Sequence, residues 1–141
     1  MGSLSRTKGA TFEREVAKFI GLELGFTLRR NLRQYQTATE FDLICDNPSW
    51  IFGIECKRAA SGRDPLTSWK EQVVAAAEQA SAMGPTIRPV IAYRFDGQHM
   101  RFAMPMSAIG GFWFADSGAW ADFTASDWVH VAREILAGSC E

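Results

Sequence analysis

The chain has 141 residues, with 15 Lys and Arg against 16 Asp and Glu, a net charge of −1, a hydrophobic share of 47% and a charged share of 22%. That is enough apolar chain for one compact domain with its own core, and it excludes a disordered or fibrous protein. It also excludes a molecule-wide basic field, so any nucleic-acid contact has to come from a local patch.

From Thr11 to Leu24 the apolar residues Phe12, Val16, Phe19, Ile20 and Leu24 recur at helical spacing, and Gly25 supplies a stop, which predicts a first helix. Residues 27–40 show no sustained period and carry Arg29, Arg30 and Arg33, which reads as an extended lead-in followed by a polar loop. Phe41 to Cys45 and Trp50 to Lys57 read as two strands of a hairpin, joined by the turn residues Asp46-Asn47-Pro48-Ser49. A second helix is expected from an Asp64 cap and Pro65 to about Met83, with Trp69, Val73, Ala76, Ala77 and Ala80 on one face. Val90 to Phe95 and Gln98 to Met104 flank Asp96-Gly97, which predicts a tight hairpin. A last helix is expected from about Asp127 to Ala137, capped by Thr124 or Ser126. The order predicts an α/β (α+β) fold, a mixed central sheet flanked by helices, in a single domain over residues 1–141 with an aromatic-rich stretch from about residue 106. The aromatic cluster Phe112, Trp113, Phe114, Trp120, Phe123 and Trp128 reads as core or as a dimer surface.

No run approaches a membrane span, and the opening residues contain no apolar segment that would serve as a secretory signal. Cys45, Cys56 and Cys140 lack the spacing of zinc or redox sites and read as free thiols, so a cytoplasmic protein is expected. His99 and His130 have no ligand spacing and are given no metal or catalytic role.

Strand alternation carries the chemical argument. Glu55 and Lys57 share one face of their strand, and Asp42 projects opposite to Phe41, Leu43 and Cys45, so pairing the two strands can put Asp42 beside Glu55. Two carboxylates about 4 Å apart repel by roughly 4 kcal/mol at an effective dielectric near 20, and a divalent cation is the natural counter-charge. Oxygen donors suit Mg²⁺, with Asp42, Glu55 and the backbone carbonyl of Cys56 as the expected ligands. Lys57 then has two open roles, orienting the attacking water or stabilising charge on the phosphate. Glu13 falls within the apolar stripe of the first helix, which is explained either by a reach toward the metal or, more plainly, by a bond to a neighbouring arginine. Lys8, Arg29, Arg30, Arg33 and Arg63 are candidates for gripping DNA phosphates, or else solvated charges, and Gln72 beside the apolar face of the second helix is a further candidate. An E-x-K tripeptide alone is weak; its place at the end of an apolar strand, after an apolar-Asp-apolar strand and a helix with an interior acid, is what makes it informative.

Lys8-Gly9-x-x-x-Glu13-Arg14-Glu15, Phe41-Asp42-Leu43-Ile44 and Ile54-Glu55-Cys56-Lys57 together resemble the PD-(D/E)xK nucleases, in particular the archaeal-type Holliday junction resolvases and their phage-encoded relatives. The resemblance covers about the first sixty residues. It implies a restriction-endonuclease-like fold, dependence on Mg²⁺ with Mn²⁺ as a substitute, and hydrolysis of DNA leaving a 5′-phosphate, with Glu13, Asp42, Glu55 and Lys57 as the active-site residues. It also implies a homodimer acting on branched or four-way DNA, in a phage or prophage setting within a bacterial host. The alternatives at this point are a less selective nuclease of the same fold, in DNA processing, repair or restriction, and a non-catalytic DNA-binding module.

Overall fold

The computed structural model describes residues 2–32, 41–82, 84–110 and 118–139. Arg33, Met83, Phe112, Trp113, Phe114 and Cys140, named above, lie outside the described residues. Six strands form one sheet in sequence order: β1 (Leu28–Arg30), β2 (Leu43–Cys45), β3 (Phe52–Ala59), β4 (Arg88–Phe95), β5 (Arg101–Pro105) and β6 (Trp120–Thr124). All neighbours pair antiparallel except β3 and β4, which run parallel and are joined by helix α2 (Thr67–Ala82). The expected mixed sheet flanked by helices is therefore the observed one.

Alternation sorts the core into two layers. Phe52, Ile54, Val90, Ala92, Phe102 and Met104 face α1 (Gly2–Leu24) and α4 (Ala125–Ser139), where Phe12, Val16, Ile20, Trp128 and Ala132 complete the larger cluster. Ile91, Tyr93, Phe95 and Ala103 face the other way and pack with Trp69 and Val73 of α2. Burying these side chains on both faces of β4 explains its nearly continuous apolar run, as a central strand with a parallel neighbour requires.

Several boundaries differ from the sequence reading. The stretch read as an extended lead-in contains β1, which pairs with β2 from Leu28↔Cys45 to Arg30↔Leu43; two arginines in a three-residue edge strand give no apolar alternation to detect. Helix α2 starts at Thr67, so Asp64 is not its cap, and Asp64 and Pro65 belong to the preceding loop. The Asp96-Gly97 turn is not a tight two-residue hairpin. Pairing of β4 with β5 ends at Tyr93↔Arg101, while Arg94 and Phe95 continue against Arg58 and Ala59 of β3. The turn closes with Gln98 N–H donating to Phe95 C=O at 2.9 Å and Gly97 at φ +80°, the one positive φ that a type II turn needs. Of the two cap candidates for α4, Thr124 takes the role: its Oγ1 accepts the Asp127 N–H at 3.1 Å. A short helix, α3 (Met106–Ile109), and strand β6 were not legible in the aromatic stretch; β6 extends the sheet beyond β5, and Trp128 of α4 is fully buried, stacked on Phe102 at a centroid distance of 4.3 Å.

Candidate active site

The register of the first hairpin is set by one pair, Leu43↔Ile54, both side chains buried in the larger cluster. One step along that register Asp42 faces Glu55. Its backbone amide still donates to Ile54 C=O at 3.1 Å, but there the ladder stops, and Oδ2 of Asp42 accepts the Cys56 N–H at 2.6 Å. A side chain thus takes over the role of a ladder carbonyl and is held tightly against β3. Gly53 makes this possible: a Cβ there would stand 2.1 Å from the Phe41 ring, so only a glycine lets the residue preceding Asp42 lie across the strand. Asn31, a buried polar residue absent from the sequence reading, brackets the other side, its N–H donating to Asp42 C=O at 2.8 Å and its Nδ2 to Phe41 C=O at 3.0 Å.

Asp42 and Glu55 are 3% and 2% exposed, as deep as the aliphatic core. Burial is the main reason that both carboxyls are pushed up, Glu55 to about 9. The charge of Asp42 and a carboxyl–carboxyl hydrogen bond add to the rise at Glu55; at Asp42 the Cys56 amide and Glu55 hold it back. Burial thus favours a proton shared between the two carboxyls over two bare charges. Oε1 of Glu55 is buried without a hydrogen-bond partner among the described residues, an acceptor left open in a place where such a vacancy costs free energy.

Lys57, two residues along the same face, donates from Nζ to Oε1 of Gln72 on α2 at 2.8 Å. Gln72 therefore meets the lysine, a partnership not foreseen from the sequence. Glu13 is half-buried and accepts from Nε of Arg30 at 2.6 Å, so the plainer reading of that acid, a bond to an arginine, describes its contact. Its negative charge nevertheless contributes to the upward push on both Asp42 and Glu55. Arg14 and Lys18 are exposed, and Glu23, at the helix end, meets Arg133 at 3.7 Å. The Cys56 side chain points into the larger cluster, opposite to Glu55, and burial pushes its thiol well up, so it is no thiolate ligand.

The five candidate cations within the described residues or at their margin divide as follows. Arg30 stands beside Glu13; Lys8 contacts Asp96 at 3.5 Å; Arg29 contacts Asp46 at 3.3 Å, at the far end of β2 from Asp42; Arg63 is exposed on the loop before α2; Arg33 lies outside the described residues. Two cations went unremarked in the sequence, Arg58 and Arg94, which occupy facing positions on β3 and β4 directly beyond Lys57. Their proximity depends on the parallel register, which no local pattern reveals. A cavity of about 490 Å³ borders the site, lined by apolar residues such as Phe41, Ile44 and Ile87; it contains neither acid nor Lys57.

Among the described residues no three His, Cys, Asp or Glu side chains stand close enough to hold a metal ion by themselves. The oxygen donors that converge are two carboxylates, one of them with an open buried acceptor, and such a hard donor pair fits a cation that keeps several of its waters. No helix among the described residues is long and apolar enough to cross a membrane.

A family model described as phage putative PDDEXK endonuclease matches residues 4–125. Among solved structures, that of Hjc from Archaeoglobus fulgidus, a Holliday junction resolvase from an archaeal hyperthermophile, is similar at 19% identity and a TM-score of 0.49, covering 65% of this chain and 72% of that one. No curated protein matches.

Proposed function

The chain belongs to the phage putative PDDEXK endonuclease family, and from that premise we propose that it is a Mg²⁺-dependent, structure-selective DNA endonuclease that resolves four-way junctions, with Asp42, Glu55, Lys57 and Glu13 at its active site. The observation that carries the reading is the pair Asp42 and Glu55, both buried, with Lys57 two residues beyond and Oε1 of Glu55 lacking a partner. A structural role does not account for two adjoining buried carboxyls whose charge folding must suppress.

Asp42, Glu55 and the backbone carbonyl of Cys56 would hold the cation, with Mn²⁺ an acceptable replacement. When bound, it supplies positive charge against the two carboxylates and against the charge that develops on a phosphate under attack. Lys57, steadied by Gln72, presents an ammonium on the same face as Glu55, where it orients a water or a phosphate oxygen. Glu13 and Arg30 form a charge pair at the margin of the cluster, and Arg30 offers its remaining N–H groups to a phosphate. Lys8, Arg29, Arg33 and Arg63 complete the proposed DNA contacts.

Junction selectivity rests on the motif resemblance, and with it comes a homodimer, since symmetric paired nicks need two active sites. A less selective nuclease is the second reading. It is favoured by the charge balance, because a net charge of −1 provides no molecule-wide basic field of the kind a four-way junction would call for.

The test compares a labelled four-way junction with a linear duplex of the same arms, in Mg²⁺, in Mn²⁺ and in EDTA, for wild type, Asp42→Asn and Glu55→Gln. Paired nicks in the junction, ending in 5′-phosphates and lost in EDTA and in both variants, are expected. Equal cutting of both DNAs favours the second reading; cutting in EDTA, or full activity in both variants, overturns the nuclease site as assigned.

A further inference from the structure

Arg58 and Arg94 are register partners in the parallel β3–β4 pair, and like charges on directly neighbouring strand positions destabilise a sheet unless compensated. Each is compensated by an acid from a separate segment. Nε of Arg58 meets Oδ1 of Asp96 at 3.1 Å, and a terminal nitrogen of Arg94 meets Oε2 of Glu15 at 2.7 Å; Lys8 joins the other oxygen of Asp96 at 3.5 Å. Three cations thus share two carboxylates.

The arginines are far from saturated. A guanidinium has five N–H donors, and each of these commits a single nitrogen to its acid, without the two-pronged grip that an arginine–carboxylate pair adopts when the pair is its purpose. Nε of Arg94 is buried without a partner, and the same guanidinium lies over the Phe12 ring at 5.3 Å, which orients it. Arg58 follows Lys57 near the end of β3 and therefore projects from the opposite face of the sheet, the α1 side, where Phe12 beneath Arg94 precedes Glu13 in the helix.

We propose that Arg58, Arg94 and Lys8 form a phosphate-binding ridge that holds the DNA backbone along the α1 side of the sheet, with Asp96 and Glu15 as placeholders that phosphate oxygens displace. This rests on the reading of the chain as a DNA nuclease. The acids keep two arginines facing each other while no DNA is bound; a bound phosphate takes the free donors and releases the acids to solvent, which their exposures of 35% and 40% allow.

The experiment measures binding of the labelled junction and the labelled duplex across a range of KCl, with Ca²⁺ in place of Mg²⁺. Arg58→Gln and Arg94→Gln are each expected to lower the magnitude of the slope of log K against log[salt] by about 0.9 per lost contact on duplex DNA, on both DNAs alike, while Arg58→Lys keeps the wild-type slope. Asp96→Asn frees two cations and is expected to tighten binding more than Glu134→Gln, a charge-matched change at an exposed position on α4. Unchanged slopes in both Gln variants, or an Asp96→Asn affinity no higher than that of Glu134→Gln, overturn the ridge while the wild type still binds and cuts DNA. Should Arg94→Gln fail to fold, the Arg58 and Asp96 variants decide the matter by themselves. A wild type that binds neither DNA overturns the nuclease reading and the ridge together.

Discussion

Oδ2 of Asp42 accepts the Cys56 amide at 2.6 Å, so the acid that faces Glu55 is also a piece of the sheet's hydrogen bonding. The two duties separate by substitution. Asp42→Asn retains an oxygen for the Cys56 N–H and removes the charge beside Glu55, whereas Asp42→Ala leaves that amide without its acceptor, at a cost of about 1–3 kcal/mol. In EDTA, thermal melts are expected to find Asp42→Asn at least as stable as wild type and Asp42→Ala clearly below it. Both should cut DNA at less than about a hundredth of the wild-type rate, the scale on which a group acting in the transition state is missed. Equal melting of the two variants would show that the bond to Cys56 contributes nothing to the fold.

The facing of Asp42 and Glu55 was readable because it depends on two short-range facts, alternation along a strand and a turn-rich connection that brings the strands antiparallel. What bonds Lys57 was not readable, since Gln72 lies on a helix whose approach to β3 is decided by Trp69 and Val73 packing on Ile91, Tyr93 and Phe95. Arg58 and Arg94 escaped notice for the same kind of reason: their pairing follows from a parallel crossover, and each looks alone in its strand like an ordinary solvated end. Strand β1 was missed because its partner supplies the order that its own sequence lacks, with only Leu28 buried in the larger cluster. Asn31 gave no signal at all, for an asparagine after a strand is ordinary turn chemistry until its bonds to Phe41 and Asp42 are seen.

Metal-free stability should depend on pH through Glu55. Its folded-state pKa is raised from the ordinary 4.5 to about 9, so between those values the folded chain holds a proton that the unfolded chain has released. Stability from this group is therefore fully present below pH 4.5, and falls as pH rises through the window to about 9. Chemical denaturation in EDTA at pH 6 and at pH 8.5, read for wild type and Glu55→Gln, is expected to show wild type losing more stability over that interval than the variant, whose amide does not titrate. Parallel pH profiles would remove Glu55 as the group that holds the proton.

Gln72 should matter for turnover more than for binding. It touches Lys57 through one 2.8 Å bond and is itself exposed, so Gln72→Ala sacrifices no core packing. Losing an outer partner of a reactive group typically costs about 10–100-fold in activity. Steady-state cleavage is expected to show that loss in kcat, with KM and melting temperature close to wild type; Gln72→Glu, which keeps an acceptor at the same reach, should recover part of the rate. A rise in KM at unchanged kcat would instead assign Gln72 to ground-state binding of DNA.

Gly53→Ala tests whether the active site is held in place by the contact behind it. The added methyl would meet the Phe41 ring at 2.1 Å, a distance no pair of carbons sustains, so the ring or the strand must move. Overpacking of this kind costs about 1–3 kcal/mol. Movement of Phe41 is passed to Asp42, its chain neighbour, and shifts the carboxylate relative to Glu55 and the Cys56 amide. Cleavage should therefore fall further than the melting temperature alone would suggest at an assay temperature where the variant is still folded. Phe41→Leu, whose shorter side chain withdraws from β3, should relieve the clash, making the double variant more stable than the sum of the single changes predicts, as contacting residues do in a mutant cycle. Wild-type melting and wild-type cleavage in Gly53→Ala would mean that the ring is free to leave and that the site does not depend on it.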